Sequence, residues 1–323
     1  MGFLKKYKNI IEAAIEEYKF TDQPAQLYEP MNYILHLGGK RLRPVILLMA
    51  YNLFKDDLKP AVKAALGIEY FHNFSLMHDD IMDRAALRRG KETVHTKYDE
   101  NIAILSGDAL LVKAFQMLED LNPALFKPCF QLFSHTALKV CEGQQYDMNF
   151  EEQNDVSYGE YIHMITGKTA ELCACALKMG ALVAEADEED AENLYEFGLH
   201  LGIAFQLMDD YLDVFGDYEV VGKKHAGDIC ENKKTILYIL AKQQGNEKQR
   251  AELDFWFDSK EEKTEKIHTV VKLFKDLDVD KLCLELINDY TEQALNCLEK
   301  ITASEEKKQD FYELMDYLLI RES

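Results

Sequence analysis

The sequence predicts an all-α protein, and three observations carry that reading. Hydrophobic residues make up 47% of the 323 positions, ample for a large core. All six prolines fall at or before Pro128, so the rest of the chain lacks the residue that removes a backbone donor and clashes with the preceding turn. Apolar residues recur at three- and four-residue spacing, and no segment shows the alternation of a half-buried strand.

The elements follow in order. The segment "MGFLKKYKNIIEAAIEEYKF" is amphipathic and charged, without the apolar run of a signal peptide, and Lys6 breaks the myristoylation pattern after Gly2. "YEPMNYILHLGGKRLRPVILLMAYNLF" reads as helix, a Gly-Gly break at 38–39, then helix. "PAVKAALGIEYFHNFSLMHDDIMDRAAL" reads as one long helix opened by Pro60 in its first turn. Residues 100–120, 126–150 and 156–184 carry helical spacing. "DEEDAENLYEFGLHLGIAFQLMDDYLDVFGD" is a further long helix whose acidic start suits the helix dipole. The last part of the chain alternates charged and apolar residues at helical period and holds no recognisable site residues.

Composition excludes several functions. The formal net charge is −21, against nucleic-acid binding, which rests on Lys and Arg neutralising phosphates. The same sign opposes a polybasic membrane anchor, and no window approaches the apolar length of a membrane span. The seven cysteines form no C-x-x-C pair and no zinc spacing, so they read as reduced thiols in a cytoplasmic protein.

One pattern occurs twice. "LMHDDIMD" at 76–83 resembles "QLMDDYLD" at 206–213. On a helix, residues four apart share a face with Cβ atoms roughly 6 Å apart. Asp79 therefore lies above Asp83, and Asp209 above Asp213. Stacked carboxylates repel unless cations offset them. Oxygen-only ligation favours a hard cation, Mg²⁺ in particular where phosphate oxygens and waters complete the octahedron. A pair of solvated acidic helix ends is the alternative for either motif alone. Basic clusters run against the global charge: Lys40, Arg41 and Arg43 after the glycine break, Arg88, Arg89 and Lys91, Lys168 beside Thr169, and Lys223, Lys224, Lys233 and Lys234. Arginine forks match phosphate oxygens. Gly167-Lys168-Thr169 lacks the Walker spacing, so a P-loop is rejected. Together the acidic and basic sets point to a cavity for more than one diphosphate.

In order along residues 38–235, the motifs are GGKRLRP, Glu69-x-x-His72, DDIMD-x4-RRG, GKT, FQLMDDYLD and GK-x3-GD-x4-KKT. This set resembles that of the trans-prenyltransferases, the short-chain polyprenyl diphosphate synthases that include the farnesyl and geranylgeranyl enzymes. The resemblance implies a single-domain isoprenoid-synthase helical bundle around a central cavity, spanning residues 1–323. It implies that Asp79, Asp83 and Asp209, with Asp80 and Asp213 assisting, hold three Mg²⁺ ions that bridge to an allylic diphosphate. Arg88, Lys168, Lys223 and Lys233 would contact that diphosphate. Lys40, Arg43, His72 and Arg89 would hold isopentenyl diphosphate, and Thr169 and Gln206 would lie near the reacting carbons. It also implies a homodimer. Asn232 and Ile236-Leu237-Tyr238 depart from the family's pattern, leaving open which of Lys233 and Lys234 reaches phosphate; counting from Asp228 favours Lys233.

The resemblance further implies that side chains before the first motif form a floor limiting product length. Phe74, five residues before Asp79, with Ser75 after it and Phe71 one turn behind, resembles the geranylgeranyl-producing pattern, with farnesyl next. A helical wheel does not derive this, because it sets Phe74 about 140° from Asp79. Two other readings stand beside it. A class I terpene cyclase would need no isopentenyl site, and its second metal motif usually mixes Asn, Ser and Glu. A non-catalytic subunit of a heteromeric synthase would generally lose the aspartates.

Overall fold

The computed structural model describes residues 2–153, 155–216, 226–258 and 263–319. The chain forms two compact units, one of residues 1–137, 175–195 and 301–310, the other of residues 138–174, 196–300 and 311–323. Both are helical, as the spacing predicts.

The first unit opens with α1 (Gly2–Glu17), α2 (Ala25–Leu35) and α3 (Leu42–Phe54). A 3₁₀ turn at Lys59–Ala61 carries Pro60 and leads into α4 (Val62–Met82). Helix α4 is apolar nearly all round: Leu66, Ile68, Tyr70, Phe71 and Met77 are fully buried, the mark of a helix covered on every side. It packs closely on α6 (Glu100–Gln116), where a Cβ on Gly67 would stand 2.9 Å from the Ala114 carbonyl oxygen. Behind it lies an aromatic cluster in which Phe71 meets Phe133 at 5.5 Å between ring centres and Phe133 meets Phe115 at 4.8 Å.

Helix α4 ends earlier than the sequence predicts, at Met82 rather than beyond residue 86. The Ala85 N–H reaches back to the Asp80 carbonyl at 2.9 Å and the Arg84 N–H to Ile81 at 3.2 Å, with Arg84 left-handed at φ 50°. This is a Schellman closure. The chain then makes a small antiparallel hairpin, β1 (Leu87–Arg88) with β2 (Lys91–Glu92), turning through Arg89 and Gly90, both at positive φ. That strand pair was not legible in the hydrophobic pattern, because it is too short to alternate and its turn residues, not its side chains, define it. A short α5 (Val94–Lys97) precedes α6.

Helices α7 (Pro123–Glu152), α9 (Glu171–Val183), α10 (Glu188–Phe215) and α16 (Glu305–Leu319) contribute residues to each unit. The second unit adds α8 (Tyr158–Ile165), α11 (Gly227–Cys230), α12 (Ile236–Gln244), α13 (Glu247–Asp258), α14 (Lys263–Asp276) and α15 (Val279–Lys300). Its core gathers Tyr161, Leu207, Leu212, Ile236, Phe274 and Cys283. Ser157 and Glu160 form a reciprocal capping box that starts α8. Between α8 and α9 the backbone widens into a π-turn over Thr166–Ala170. Two glycines allow close approach there. A Cβ on Gly143 would stand 2.7 Å from the Gly167 carbonyl carbon, and one on Gly202 would stand 2.6 Å from the Ala170 Cα. Among the described residues no helix is long and apolar enough to cross a membrane.

Candidate active site

In the first unit, Asp79 and Asp83 occupy successive turns at the C-terminal end of α4, Asp79 partly buried and Asp83 exposed. The aspartate between them behaves differently. Asp80 is 2% exposed and accepts from Arg88 through both oxygens, from Nε and a terminal nitrogen at 2.8 Å each. The hairpin is what returns Arg88 to Asp80. The i, i+4 logic of the sequence stacks Asp79 on Asp83 but does not reveal that the intervening carboxylate turns inward. Asp80, expected to assist at the metal, accepts a guanidinium fork in this structure.

The glycine break cradles Arg89. Its guanidinium donates to the Gly38 carbonyl, and a Cβ on Gly39 would meet its Cζ at 2.6 Å. Gly39 also has φ +133°, a conformation that favours glycine. Lys40 is exposed beside this break. Arg41, at φ 54°, is 4% exposed; it donates to Glu69 at 2.7 Å, to Glu12 at 3.0 Å and to the Leu35 carbonyl. Burial acts to lower its pKa, but the charges of Glu69 and Glu12 outweigh burial and hold it raised. Asn73 donates to the same Glu69 oxygen at 2.8 Å. The E-x-x-H pair thus divides its work: Glu69 anchors Arg41, and His72 meets Arg43.

The His72 Nε2 lies 3.2 Å from an Arg43 terminal nitrogen. A guanidinium only donates, so Nε2 accepts and the ring proton sits on Nδ1. Burial, then Arg43, Arg89, Arg88 and Arg41 in that order, push the imidazole pKa well below its ordinary value. Arg89 is lowered by burial and by Arg41. The Arg43 Nε is buried with no partner among the described residues. Arg43 and Arg89 beside a neutral imidazole suit a polyanion, while Arg41 is committed to Glu69 and Arg88 to Asp80.

Before the motif, Phe74 is 8% exposed, its ring 4.8 Å from His78 and 5.5 Å from Phe71. A Cβ on Gly107 of α6 would fall on the His78 ring, so the glycine permits that packing. Ser75 donates to the His72 carbonyl at 2.8 Å. Phe71 is fully buried in the aromatic cluster.

In the second unit, Asp209 and Asp213 are partly exposed on α10, and the middle residue Asp210 is again buried, at 4% exposure. Gln206 donates to it at 3.0 Å, Tyr161 through its hydroxyl, and the Ile236 N–H at 3.5 Å. Burial and then the charge of Asp228 push the Asp210 carboxyl up to about 7, against these donors. Thr169, in the π-turn, donates to the Gln206 carbonyl oxygen at 3.1 Å. Lys168 donates to Asp147 at 2.5 Å.

Asp213 accepts from the Asp228 N–H at 3.0 Å, and its backbone carbonyl accepts from Ala226 at 2.7 Å. Lys233 pairs with Glu231 at 2.9 Å and stands 3.8 Å from Asp228. Burial acts to lower its pKa, but Glu231, Asp228 and Asp147 outweigh it and hold the pKa raised. Lys234 donates to the Phe150 and Gln153 carbonyls at 3.2 and 2.5 Å, binding the end of α7. Of the adjacent lysines, Lys233 is the one on the acidic surface. Lys223 and Lys224 lie outside the described residues. Sequence reasoning left Asp228, Tyr161 and Asp147 without roles. Asp228 was signalled by its Gly-Asp motif; nothing local marks Tyr161 or Asp147.

Among the described residues no three His, Cys, Asp or Glu side chains converge as an all-protein metal cage. The donor set at each motif is carboxylate only, and partly exposed. That fits Mg²⁺, which keeps waters and binds through one or two carboxylates plus substrate phosphates.

Helical units that carry paired aspartate motifs and arginine clusters suit an enzyme that handles diphosphates. The Polyprenyl synthetase family model matches residues 24–274. The geranylgeranyl diphosphate synthase of Methanosarcina mazei is 36% identical over 321 residues, covering 99% of this chain and 97% of that one. A geranylfarnesyl diphosphate synthase of Natronomonas pharaonis is 38% identical over 256 residues, covering 74% of this chain and 75% of that one. A crystal structure of a geranylgeranyl pyrophosphate synthase superposes with a TM-score of 0.94 at 45% identity, covering 99% of each chain. The chain belongs to the polyprenyl synthetase family and is a prenyltransferase.

Proposed function

We propose that this chain, residues 1–323 acting as one polyprenyl synthase domain, condenses isopentenyl diphosphate head-to-tail with dimethylallyl, geranyl and farnesyl diphosphates. The product is a short-chain all-trans prenyl diphosphate, geranylgeranyl diphosphate first and farnesyl diphosphate next. One observation carries the reading: in each D-D-x-x-D motif the middle aspartate is buried and hydrogen-bonded within its own unit, while the first and third stay at the accessible surface one turn apart. The same split between a buried second aspartate and accessible first and third ones recurs on two helices, which an acidic helix end does not require.

Asp79, Asp83 and Asp209, with Asp80 and Asp213 assisting, would hold Mg²⁺, three ions when substrate is bound. The metal, when bound, neutralises charge developing on the departing diphosphate. The chain's own cations act on the same charge. Lys168, Lys223 and Lys233 contact the allylic diphosphate, and Arg88 does so with the terminal nitrogen its bond to Asp80 leaves over. Lys40, Arg43, Arg89 and neutral His72 receive isopentenyl diphosphate, whose phosphate oxygens accept from the buried Arg43 Nε. Stabilisation of this kind accelerates reaction because it grows as the leaving group gains charge. Departure of diphosphate leaves an allylic cation. The terminal double bond of isopentenyl diphosphate attacks it to form the new carbon–carbon bond. A proton then passes to the released diphosphate, giving a product five carbons longer. Thr169 and Gln206 turn oxygens toward the cation.

Supported by their exposed positions, Leu105, Val112, Phe126 and Phe130 on α6 and α7 form the face of a homodimer. The chain functions in the cytoplasm. The deciding assay supplies five-, ten- and fifteen-carbon allylic starters with isopentenyl diphosphate and Mg²⁺, and chromatographs the dephosphorylated products. Elongated prenols that vanish on chelation, and in Asp79→Ala and Asp209→Ala, are the expected result. Hydrocarbon from an allylic diphosphate alone, or near-normal turnover of both variants, would overturn it.

A further inference from the structure

The second aspartate motif holds a carboxylate that the reaction as drawn does not use. Asp210 is buried, and its hydrogen bonds fix direction along a chain of side chains. The Ile236 N–H and a Gln206 N–H can only donate, so Asp210 accepts from both. The Tyr161 hydroxyl closes on the same oxygen as Ile236. With Nε2 committed to Asp210, Gln206 must turn Oε1 the other way, toward Thr169. The Thr169 hydroxyl then spends its only proton on that oxygen. What Thr169 Oγ1 and Gln206 Oε1 can still offer a neighbouring ligand is oxygen lone pairs, since the hydroxyl proton is spent and one amide N–H is committed to Asp210. Rotating the Gln206 amide by half a turn would set its oxygen against Asp210 and present N–H groups instead.

We propose that Asp210 and Tyr161 are positioning residues that hold the Gln206 amide and the Thr169 hydroxyl oxygen-outward, selecting this surface for an allylic cation over a neutral allylic chain. The proposal rests on the reading of Thr169 and Gln206 as neighbours of the reacting carbons. Sequence alone gives Asp210 no role; on α10 it is buried, with an amide partner four residues earlier.

The test compares wild type with Tyr161→Phe, Asp210→Asn, Gln206→Glu and the double variant Asp210→Asn/Gln206→Glu. An asparagine at 210 can donate to Gln206 Oε1 and flip the amide; a glutamate at 206 sets two carboxylates together. In the double variant, the asparagine donates to the glutamate, whose other oxygen again accepts from Thr169. Asp210→Asn is expected to lose turnover by about 10- to 100-fold, the usual range for a group that orients another, with KM for isopentenyl diphosphate unchanged. Tyr161→Phe should lose less, and the double variant should recover most of the loss. Binding gives a readout apart from turnover. Calorimetry should show Asp210→Asn weakening an allylic diphosphate analogue that carries an ammonium group at the cationic carbon. Binding of the neutral thio-substituted analogue should not change. Equal weakening of both analogues, no rescue in the double variant, or unchanged turnover in both Asp210→Asn and Tyr161→Phe would overturn the proposal. Failure of wild type to elongate any starter would instead overturn the functional reading it rests on.

Discussion

Arg41 is the cation in its cluster that no diphosphate is expected to touch, and its removal has a calculable effect. Its side chain is 1% exposed and that of Glu69 2%, with 2.7 Å between the charged atoms. Arg41→Met would leave Glu69 buried with one oxygen held only by Asn73 at 2.8 Å and the other already without a partner among the described residues. Stranding one partner of a buried ion pair costs about 3–5 kcal/mol, because the remaining charge keeps its desolvation penalty. Glu12 adds little to this, since its side chain is 41% exposed and can turn to water. For a chain of this length, near the low end of the observed sensitivity of about 2–4 °C per kcal/mol, the melting temperature should fall by about 6–10 °C. The double variant Arg41→Met/Glu69→Leu should regain most of that, because replacing both ions with apolar groups is often neutral or stabilising. The assay is thermal unfolding at fixed pH and salt, followed by circular dichroism, for wild type, both single variants and the double. If Arg41→Met falls by less than about 2 °C, or the double variant is no better than the single, the pair is not acting as a buried, mutually dependent unit. Steady-state kinetics should add a raised KM for isopentenyl diphosphate with kcat largely spared, since Arg41 sits between Lys40 and Arg43 and fixes the start of α3.

Three further outcomes are expected. Phe74→Ala should lengthen the prenyl product and Ser75→Phe should shorten it; unchanged product chromatograms for both would remove the floor assignment. Gly143→Ala would drive a methyl group into the backbone of the π-turn, so it should cost about 1–3 kcal/mol and depress turnover with it. Gly159→Ala, with open space around its Cβ position, is the control and should melt as wild type does. The third concerns acid. The folded His72 pKa lies below the unfolded value, so below about pH 6.5 the unfolded chain binds the extra proton and stability falls as pH drops. Between about pH 7.5 and about pH 5.5 that contributes a loss of up to about 1.4 kcal/mol. His72→Gln, which does not titrate, should show a correspondingly flatter fall in melting temperature without ligand. An identical slope would mean that His72 is protonated as readily in the folded chain as in the unfolded one.

The helices and the two aspartate motifs were legible in the sequence because both follow from periodicity. Apolar spacing sets helices, and a four-residue interval stacks Asp79 on Asp83 and Asp209 on Asp213 whatever surrounds them. Counting favours Lys233 over Lys234; only the folded chain shows Lys234 donating to the carbonyls of Phe150 and Gln153. The turn chemistry after α4 was harder to read. Arg84 has no marker of a helix terminus, since glycine is the usual residue at that left-handed position, yet it closes α4 and lets Arg88 return to Asp80.

What the sequence by itself determined is the inventory: which carboxylates, arginines and lysines exist, and which share a helix face. Tertiary structure alone decided how they divide. Asp79 and Asp80 are the same residue type on adjacent positions, and so are Asp209 and Asp210, but each pair splits into an accessible and a buried member. The helix turns about 100° per residue, so neighbours point to different surroundings, and only the packing around α4 and α10 says what those surroundings are. Arg88 waits for Asp80 inside the first unit, and Tyr161 and Gln206 wait for Asp210 inside the second. The partners come from other elements, brought in by folding rather than by spacing along the chain.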